Sequence, residues 1–416
     1  MKEDHLESTC LDWLRELGWT CVHGDEVSPG GAQCARARYS DVVLAPRLRE
    51  AVLHLNPELT AAKTDEAVDK LSGYGAQSLV GGNKEVYDWL RNGVPVQRIE
   101  ADGTRAVLRV RVIDFDGAND LLAVQQFTVH GLKVRRPDLV LFVNGLPLVV
   151  IELKNPADLN ADIEAAWNQI QTYKADIPQL FYCNLLNVIS DGTVARYGWL
   201  TAEFGRYSRW RLLGGEKVAK GRLELDVLML GLFEPRTLLT FFRSFVAFGG
   251  ASFKIIAQWH QYHGMQKAVA CAVDALLHKK DGKGGVIWFT QGSGKSLLAL
   301  FYVMALRDHP EFRNPTVVLV TDRNDLDGQL YETFADCAWS LRSTPQQAQS
   351  RDDLRDKLSQ VQADGIIFTT TINKFAPDKG QTTVPVLCER SNVIVIADEA
   401  HRTQYGFKAD ICTTPS

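Results

Sequence analysis

Eighteen residues, Pro137 to Lys154 (PDLVLFVNGLPLVVIELK), constrain this 416-residue chain more than any other stretch. Two apolar runs flank Asn144-Gly145, a dipeptide that specifies a tight β-hairpin because both positions tolerate positive φ. The segment is therefore expected to form two paired strands. Asp138 opens the first, and Glu152-Leu153-Lys154 closes the second. Side chains alternate faces along a strand, so Glu152 and Lys154 share one face while Leu153 points to the core. With Asp138 beside them, the pair would offer two carboxylates to a divalent cation and an ammonium to developing phosphate charge. That is the minimum equipment for cutting a phosphodiester. Taken alone, an Asp at a strand start followed by Glu-x-Lys also describes an ordinary solvated strand end. His130, just before the hairpin, reads as a surface or core-edge histidine.

A helix-like segment, Asp162 to Lys174, follows and contains Gln169 and Tyr173. Four residues apart, these two share a helix face and can both reach one edge of the hairpin. Near the start, Leu6, Cys10, Trp13, Leu14 and Leu17 give an amphipathic helix pattern that ends at Gly18. Together these features resemble the PD-(D/E)xK nuclease superfamily. The Gln-x-x-x-Tyr helix resembles that of RecB-like nucleases and of the restriction (R) subunit of type I restriction–modification enzymes. The resemblance implies a mixed-sheet nuclease domain using Mg²⁺, with Asp138, Glu152, Lys154, Gln169 and Tyr173 as site residues. It also implies an acidic metal ligand on the first helix, where Glu7 is the matching position.

The second half changes to a strand–helix rhythm from about Phe253, as expected of a parallel sheet covered by helices. Gly285 to Phe289 reads as a short buried strand, followed by Thr290-Gln291-Gly292-Ser293-Gly294-Lys295-Ser296 and an apolar helix from Leu297 to Leu306. Strand, glycine-rich loop and helix form the context of a phosphate-binding loop. Gly292, Ser293 and Gly294 would turn backbone N–H groups toward a β-phosphate at a helix N-terminus. Lys295 would reach the β- and γ-phosphates of ATP, and the Ser296 hydroxyl would ligate Mg²⁺. Phe289 stands where the strict motif has its first glycine, leaving the shorter Gly-x-Gly-Lys-Ser core. Downstream, Val393 to Ala397 reads as a buried parallel strand ending in Asp398-Glu399-Ala400-His401. Asp398 would hold the Mg²⁺ through water and Glu399 would polarise the attacking water. This pairing resembles superfamily 2 helicases and translocases, and the continuation to Gly406 resembles the type I restriction subunit. Gln266 lies where that superfamily places an adenine-reading glutamine. Thr321 to Leu326 and Thr369 to Phe375 resemble two further motifs, the latter with hydroxyls suited to DNA phosphates.

Composition limits the alternatives. The apolar (45%) and charged (23%) fractions are those of a soluble globular protein. Net charge is −4, so any grip on nucleic acid must come from local patches such as Lys133-Val134-Arg135-Arg136. Eight cysteines without a Cys-x-x-Cys pair argue against a zinc site or a disulfide framework and fit a reduced cytoplasmic compartment. No signal peptide or membrane-length apolar run is present. The expected domains are a nuclease domain over 1–205, a helical connector over 206–260, and a first RecA-like ATP-binding lobe over 261–416. The resemblance implies double-stranded DNA as substrate and methyltransferase and specificity subunits as partners. It also implies a second motor lobe, which would supply an arginine to ATP hydrolysis. Since the sequence departs from the family after Phe407, the expectation is a fragment that binds ATP but barely hydrolyses it. Two rival readings are a superfamily 2 ATPase with a decayed nuclease and a non-catalytic binding module.

Overall fold

The computed structural model describes residues 3–99, 102–154, 162–214, 217–250, 252–290, 292–321, 324–360, 365–370 and 386–398. The chain divides into two compact units, Met1–Val246 with Ala251–His263, and Ala247–Gly250 with Gly264–Ser416. Among the described residues, no helix is long and apolar enough to cross a membrane.

A six-stranded mixed sheet centres the first unit. In both chain and spatial order its strands are β1 (Thr20–His23), β2 (Leu121–Gln125), β3 (Leu139–Val143), β4 (Leu146–Leu153), β5 (Leu186–Ser190) and β6 (Ala195–Gly198). β1 is parallel to β2 and β4 to β5, while the other neighbours are antiparallel. All residues of β3, β4 and β5 are buried, as their near-continuous apolar sequences require. The helix α1 (Glu3–Glu16) packs against β1, β2 and β4, and α2 (Ile163–Asp176) packs against β4 and β5. Gly18, at φ +87°, turns the chain out of α1. Asp162 caps α2 by accepting the Ala165 N–H at 2.8 Å.

The expected hairpin is β3–β4. Asn144 (φ 53°) and Gly145 (φ 77°) form its turn, with both residues in the left-handed region. The turn is buried, which the sequence did not indicate. Asn144 donates through Nδ2 to the Val112 carbonyl at 2.9 Å and accepts the Asp120 N–H at 2.8 Å. A Cβ on Gly145 would stand 2.6 Å from the Leu44 carbonyl oxygen, so only glycine fits.

Residues 206–246 pack within this same unit. They form α3 (Glu224–Leu232) and α4 (Pro235–Ser244), and bring Trp210, Phe241 and Phe245 into an aromatic cluster with Tyr197 and Tyr262. Lys254 is fully buried beside this region and donates to the Asn184 carbonyl at 2.6 Å. Burial lowers its pKa from 10.5 to about 7. The unfolded chain therefore binds more protons than the folded one between about pH 7 and 10.5, and stability rises with pH across that window. Below it, both states carry the charge and the burial penalty is complete. Lys254→Met is expected to stabilise the protein by about 1–3 kcal/mol near neutrality, because it replaces a buried ion with an apolar chain of similar length. Urea melts should show that gain shrinking as pH rises toward the upper limit. A gain that does not change with pH would reject the assignment.

One alternating stretch pairs away from the main sheet, and one expected strand does not form. The Val107–Asp114 stretch does not join the sheet of the hairpin, although its Val112 carbonyl reaches the hairpin turn. Among the described strands, its strand, Arg105–Val110, pairs only with Val94–Ile99, in a separate two-stranded sheet. The alternation there reflects a ribbon open to solvent, with Val107 66% exposed. In the second unit, Gly285 to Phe289 forms no regular strand. Gly285 leaves the extended region at φ +111°, Val286 and Trp288 are about 90% exposed, and the Phe289 ring instead lies flush on Gly264.

The second unit is built on an all-parallel sheet. Its strands are β7 (Thr316–Thr321), β8 (Gln346–Ala348), β9 (Ile366–Thr370) and β10 (Val393–Ala397), in the spatial order β8-β9-β7-β10. The helix α5 (Lys295–Asp308) buries Leu300, Phe301, Val303, Met304 and Leu306. Helix α6 (Asn324–Asp336) sets Phe334 edge-on against Phe368 of β9 at 5.2 Å. Helix α7 (Arg351–Gln360) adds Leu354 and Leu358 to the core with Val318, Val320 and Ile367. β10 is parallel as expected but only half-buried, because among the described strands it pairs with β7 alone.

Candidate active site and nucleotide-binding loop

The hairpin ends in a cavity of about 740 Å³, lined by Glu7, Gln125, Gln126, Asp138, Glu152, Lys154, Gln169 and Tyr173, with Arg135 and Arg136 on its wall. Asp138 precedes β3 and Glu152 is the penultimate residue of β4, so antiparallel pairing sets the two carboxyl groups at one end of the sheet. Both are buried, at 7% and 2% exposure. The Asp138 Oδ2 atom accepts the Leu153 N–H at 2.7 Å. Glu152 accepts from Lys154 Nζ at 2.6 Å through Oε1 and from the Tyr173 hydroxyl at 3.0 Å through Oε2. Gln169, one turn before Tyr173 on α2, lines the same cavity. All five residues expected at this site line the same cavity.

Electrostatics sets the character of the site. Burial, with the charges of Glu152 and Glu7, pushes the Asp138 carboxyl up to about 8, more than the Leu153 N–H and Lys154 can offset. Burial, followed by the Glu152 charge, also raises the Tyr173 hydroxyl, which therefore stays a donor. Desolvated carboxylates repelling one another across a cavity are a hard oxygen donor set that a divalent cation would relieve. Asp138 and Glu152 fit that description.

Glu7, expected as a further metal ligand, is engaged differently. It is 2% exposed on α1, and its two carboxylate oxygens accept from Gln125 Nε2 and Gln126 Nε2, each at 2.8 Å. The Gln126 amide also lies 3.4 Å from Asp138 Oδ1, so an amide stands between the two acids. Among the described residues, no group of three or more His, Cys, Asp or Glu side chains is close enough to hold one metal ion. The sequence reading missed Gln125 and Gln126. Their only local signal is a polar doublet ending the apolar strand β2. Gln126 is held at φ 55°, rare for a non-glycine residue. The Gln126 carbonyl is approached so closely by Gly24 that a Cβ there would lie 2.4 Å away.

In the second unit, Gly292 (φ +82°) and Gly294 (φ +74°) bend the loop into the start of α5, with Gly294 as its N-cap. The Ser293 hydroxyl donates to the Thr290 carbonyl at 2.7 Å, closing the loop on itself. Lys295 and Ser296 are the first two residues of α5, where the N–H groups of a first helical turn and the helix dipole favour an anion. Asp398 directly follows β10, and its N–H bonds the Val320 carbonyl of β7 at 2.8 Å. It therefore sits at the carboxyl edge of the parallel sheet, where such sheets receive ligands. Gln266 is half-buried on the Trp259–Asp274 helix. Gln291, Asp322, Arg323, Thr371 to Phe375, Glu399 and His401 lie outside the described residues.

A mixed-sheet nuclease fold followed by a parallel-sheet RecA-like lobe defines the class of protein. Comparison with known proteins then gives the family. Residues 1–206 match the model for the N terminus of the type I restriction enzyme R protein, and residues 260–414 match that of the SWI2/SNF2 ATPase. The chain is 44% identical over 98% of its length to the type I restriction enzyme HindI endonuclease subunit of Haemophilus influenzae. It is 32% identical over 98% of its length to MjaIXP of Methanocaldococcus jannaschii, provisionally named a type I restriction enzyme endonuclease subunit. The chain spans 39% and 40% of those two relatives. It belongs to the family of type I restriction enzyme R proteins, as the sequence motifs led us to expect.

Proposed function

We propose that this chain carries a Mg²⁺-dependent DNA endonuclease site joined to the first ATP-binding lobe of a DNA translocase, over the domain bounds set out from the sequence. It would work in the cytoplasm with methyltransferase and specificity subunits on unmodified double-stranded DNA. The observation that carries this reading is the meeting of Asp138, Glu152 and Lys154 in one cavity, with Tyr173 bonded to Glu152. Asp138 and Glu152 would hold Mg²⁺, which when bound supplies Lewis-acid stabilisation of phosphate charge and an activated water. Glu7 would act on that pair through the amides of Gln125 and Gln126, fixing the Asp138 side of the site.

Lys154 would hold positive charge beside the scissile phosphate as negative charge grows on its oxygens. The Tyr173 and Gln169 pair would fix the Glu152 carboxylate in one orientation, so little reorganisation accompanies the reaction. In the second unit, the loop N–H groups and Lys295 would hold the polyphosphate of ATP. Ser296 and Asp398 would hold its Mg²⁺, Glu399 would orient water, and Gln266 would read the base.

The test is cleavage of duplex DNA by the purified protein. Mg²⁺ or Mn²⁺ is expected to support cutting, excess chelator to abolish it, and Zn²⁺ to be unnecessary, because the donors are hard oxygens. Cutting that persists in excess chelator would overturn the metal-dependent reading.

A further inference from the structure

Beside the cavity, the short strands Val129–His130 and Val134–Arg135 pair as a small antiparallel hairpin with Gly131, Leu132 and Lys133 at its tip. The tip is rigidly held. The Leu132 N–H donates to the Asp176 carbonyl at 2.8 Å, and the Asp176 carboxylate takes the Arg135 guanidinium at 2.7 Å. A Cβ on Gly131 would stand 2.4 Å from the same carbonyl, so the tip can approach α2 only with glycine there. On the other strand, the His130 N–H bonds the Tyr39 carbonyl at 3.0 Å, and the two rings stack at 4.8 Å. Despite this bracing, Leu132 is 82% exposed and Val134 60% exposed.

A braced hairpin that holds two apolar side chains in water is poised to bury them against something. The nearby charge indicates the occupant. Lys133 is 69% exposed, with only a long 3.8 Å approach to Asp176. Arg136 is exposed and forms no ion pair among the described residues. Val134, Arg135 and Arg136 also line the cavity that holds Asp138 and Glu152. The surface is thus cationic, apolar at its tip, and continuous with the proposed phosphodiester site. Apolar side chains carried on a basic element are the means by which proteins enter a duplex and unstack a base step, with the cations on flanking phosphates.

We propose that this hairpin is a duplex-engaging wedge: Leu132 enters the DNA stack or minor groove while Lys133 and Arg136 hold the adjoining phosphates. The proposal rests on the nuclease reading for its choice of ligand, and its test does not depend on cleavage. Binding is measured by anisotropy with a labelled duplex in Ca²⁺, and unstacking by the fluorescence of 2-aminopurine placed within the duplex. Wild-type protein is expected to bind and to raise the aminopurine signal. Leu132→Ser should lose that rise and bind about tenfold more weakly, the effect of removing one well-buried leucine from an interface. Lys133→Ala should weaken binding and lower the salt slope by about one counterion. Both positions are exposed, so melting temperatures should match wild type.

Wild-type binding and unstacking retained by Leu132→Ser would overturn the wedge. So would a Leu132→Ser defect confined to association with the modification and specificity subunits, which would give this surface to a protein partner. A parallel Mg²⁺ cleavage assay on wild type reports on the nuclease reading separately. A chain that binds and unstacks DNA without cutting it would keep the wedge and lose the nuclease.

Discussion

Glu152→Gln is expected to lower duplex cleavage by about 10³-fold while leaving the fold standing. Glu152 lies at 2% exposure between the Lys154 ammonium and the Tyr173 hydroxyl, and it is one of two carboxylates suited to hold the cation. Glutamine keeps the shape and one acceptor oxygen but removes the charge that both the cation and Lys154 require. Loss of a group that stabilises transition-state charge in a buried site costs about 10²–10³ in rate, and loss of a metal ligand adds to it. Glu7→Gln should cost less, about 10- to 100-fold, because Glu7 reaches Asp138 only through glutamine amides. Single-turnover cleavage in Mg²⁺ would measure both, with thermal melts confirming that each variant folds. Wild-type rates in Glu152→Gln would remove this site from the chemistry and leave the decayed-nuclease reading.

The features legible in the sequence were those fixed by local rules. Asn144-Gly145 specified its own turn, but the register that brings Asp138 opposite Glu152 also needs a one-residue shift between Leu141 and Phe142, which the sequence did not signal. Helical spacing alone put Gln169 and Tyr173 on one face of α2. What escaped notice depends on which strands meet. Nothing near Glu7 signals that residues 125 and 126 will hold it, since that contact spans more than a hundred residues and needs the positive φ of Gln126. Apolar alternation around Val107 specified a strand without specifying its partner, and the ribbon with Val94–Ile99 took it. The apolar run at Gly285 to Phe289 shows the same ambiguity, because hydrophobicity cannot distinguish a buried strand from a loop whose one anchored ring rests on a helix glycine. The buried Lys254 was equally silent, since burial of a lysine is a property of the packed core around it.

Lys295→Ala should reduce ATP affinity by about 10- to 100-fold, the range lost with a charge-assisted contact to a ligand anion. The loop geometry is the reason to expect so much from one side chain. Gly292 and Gly294 both sit in the left-handed region, and that bend delivers the chain into α5 at Lys295 itself. The ammonium is therefore tethered at the positive end of the helix, beside the N–H groups of its first turn. A polyphosphate at this end would meet both. Ser296→Ala should behave differently: nucleotide binding without Mg²⁺ would stay near wild type, while the gain on adding Mg²⁺ would shrink. Asp398→Asn should shrink the same gain from the opposite element, the carboxyl edge of the parallel sheet next to β7. Titration of a fluorescent ATP analogue, with and without Mg²⁺, separates these effects. Equal affinities for wild type and Lys295→Ala would mean that the glycine-rich turn is not a phosphate site, and the ATP-binding half of the proposal would fall with it.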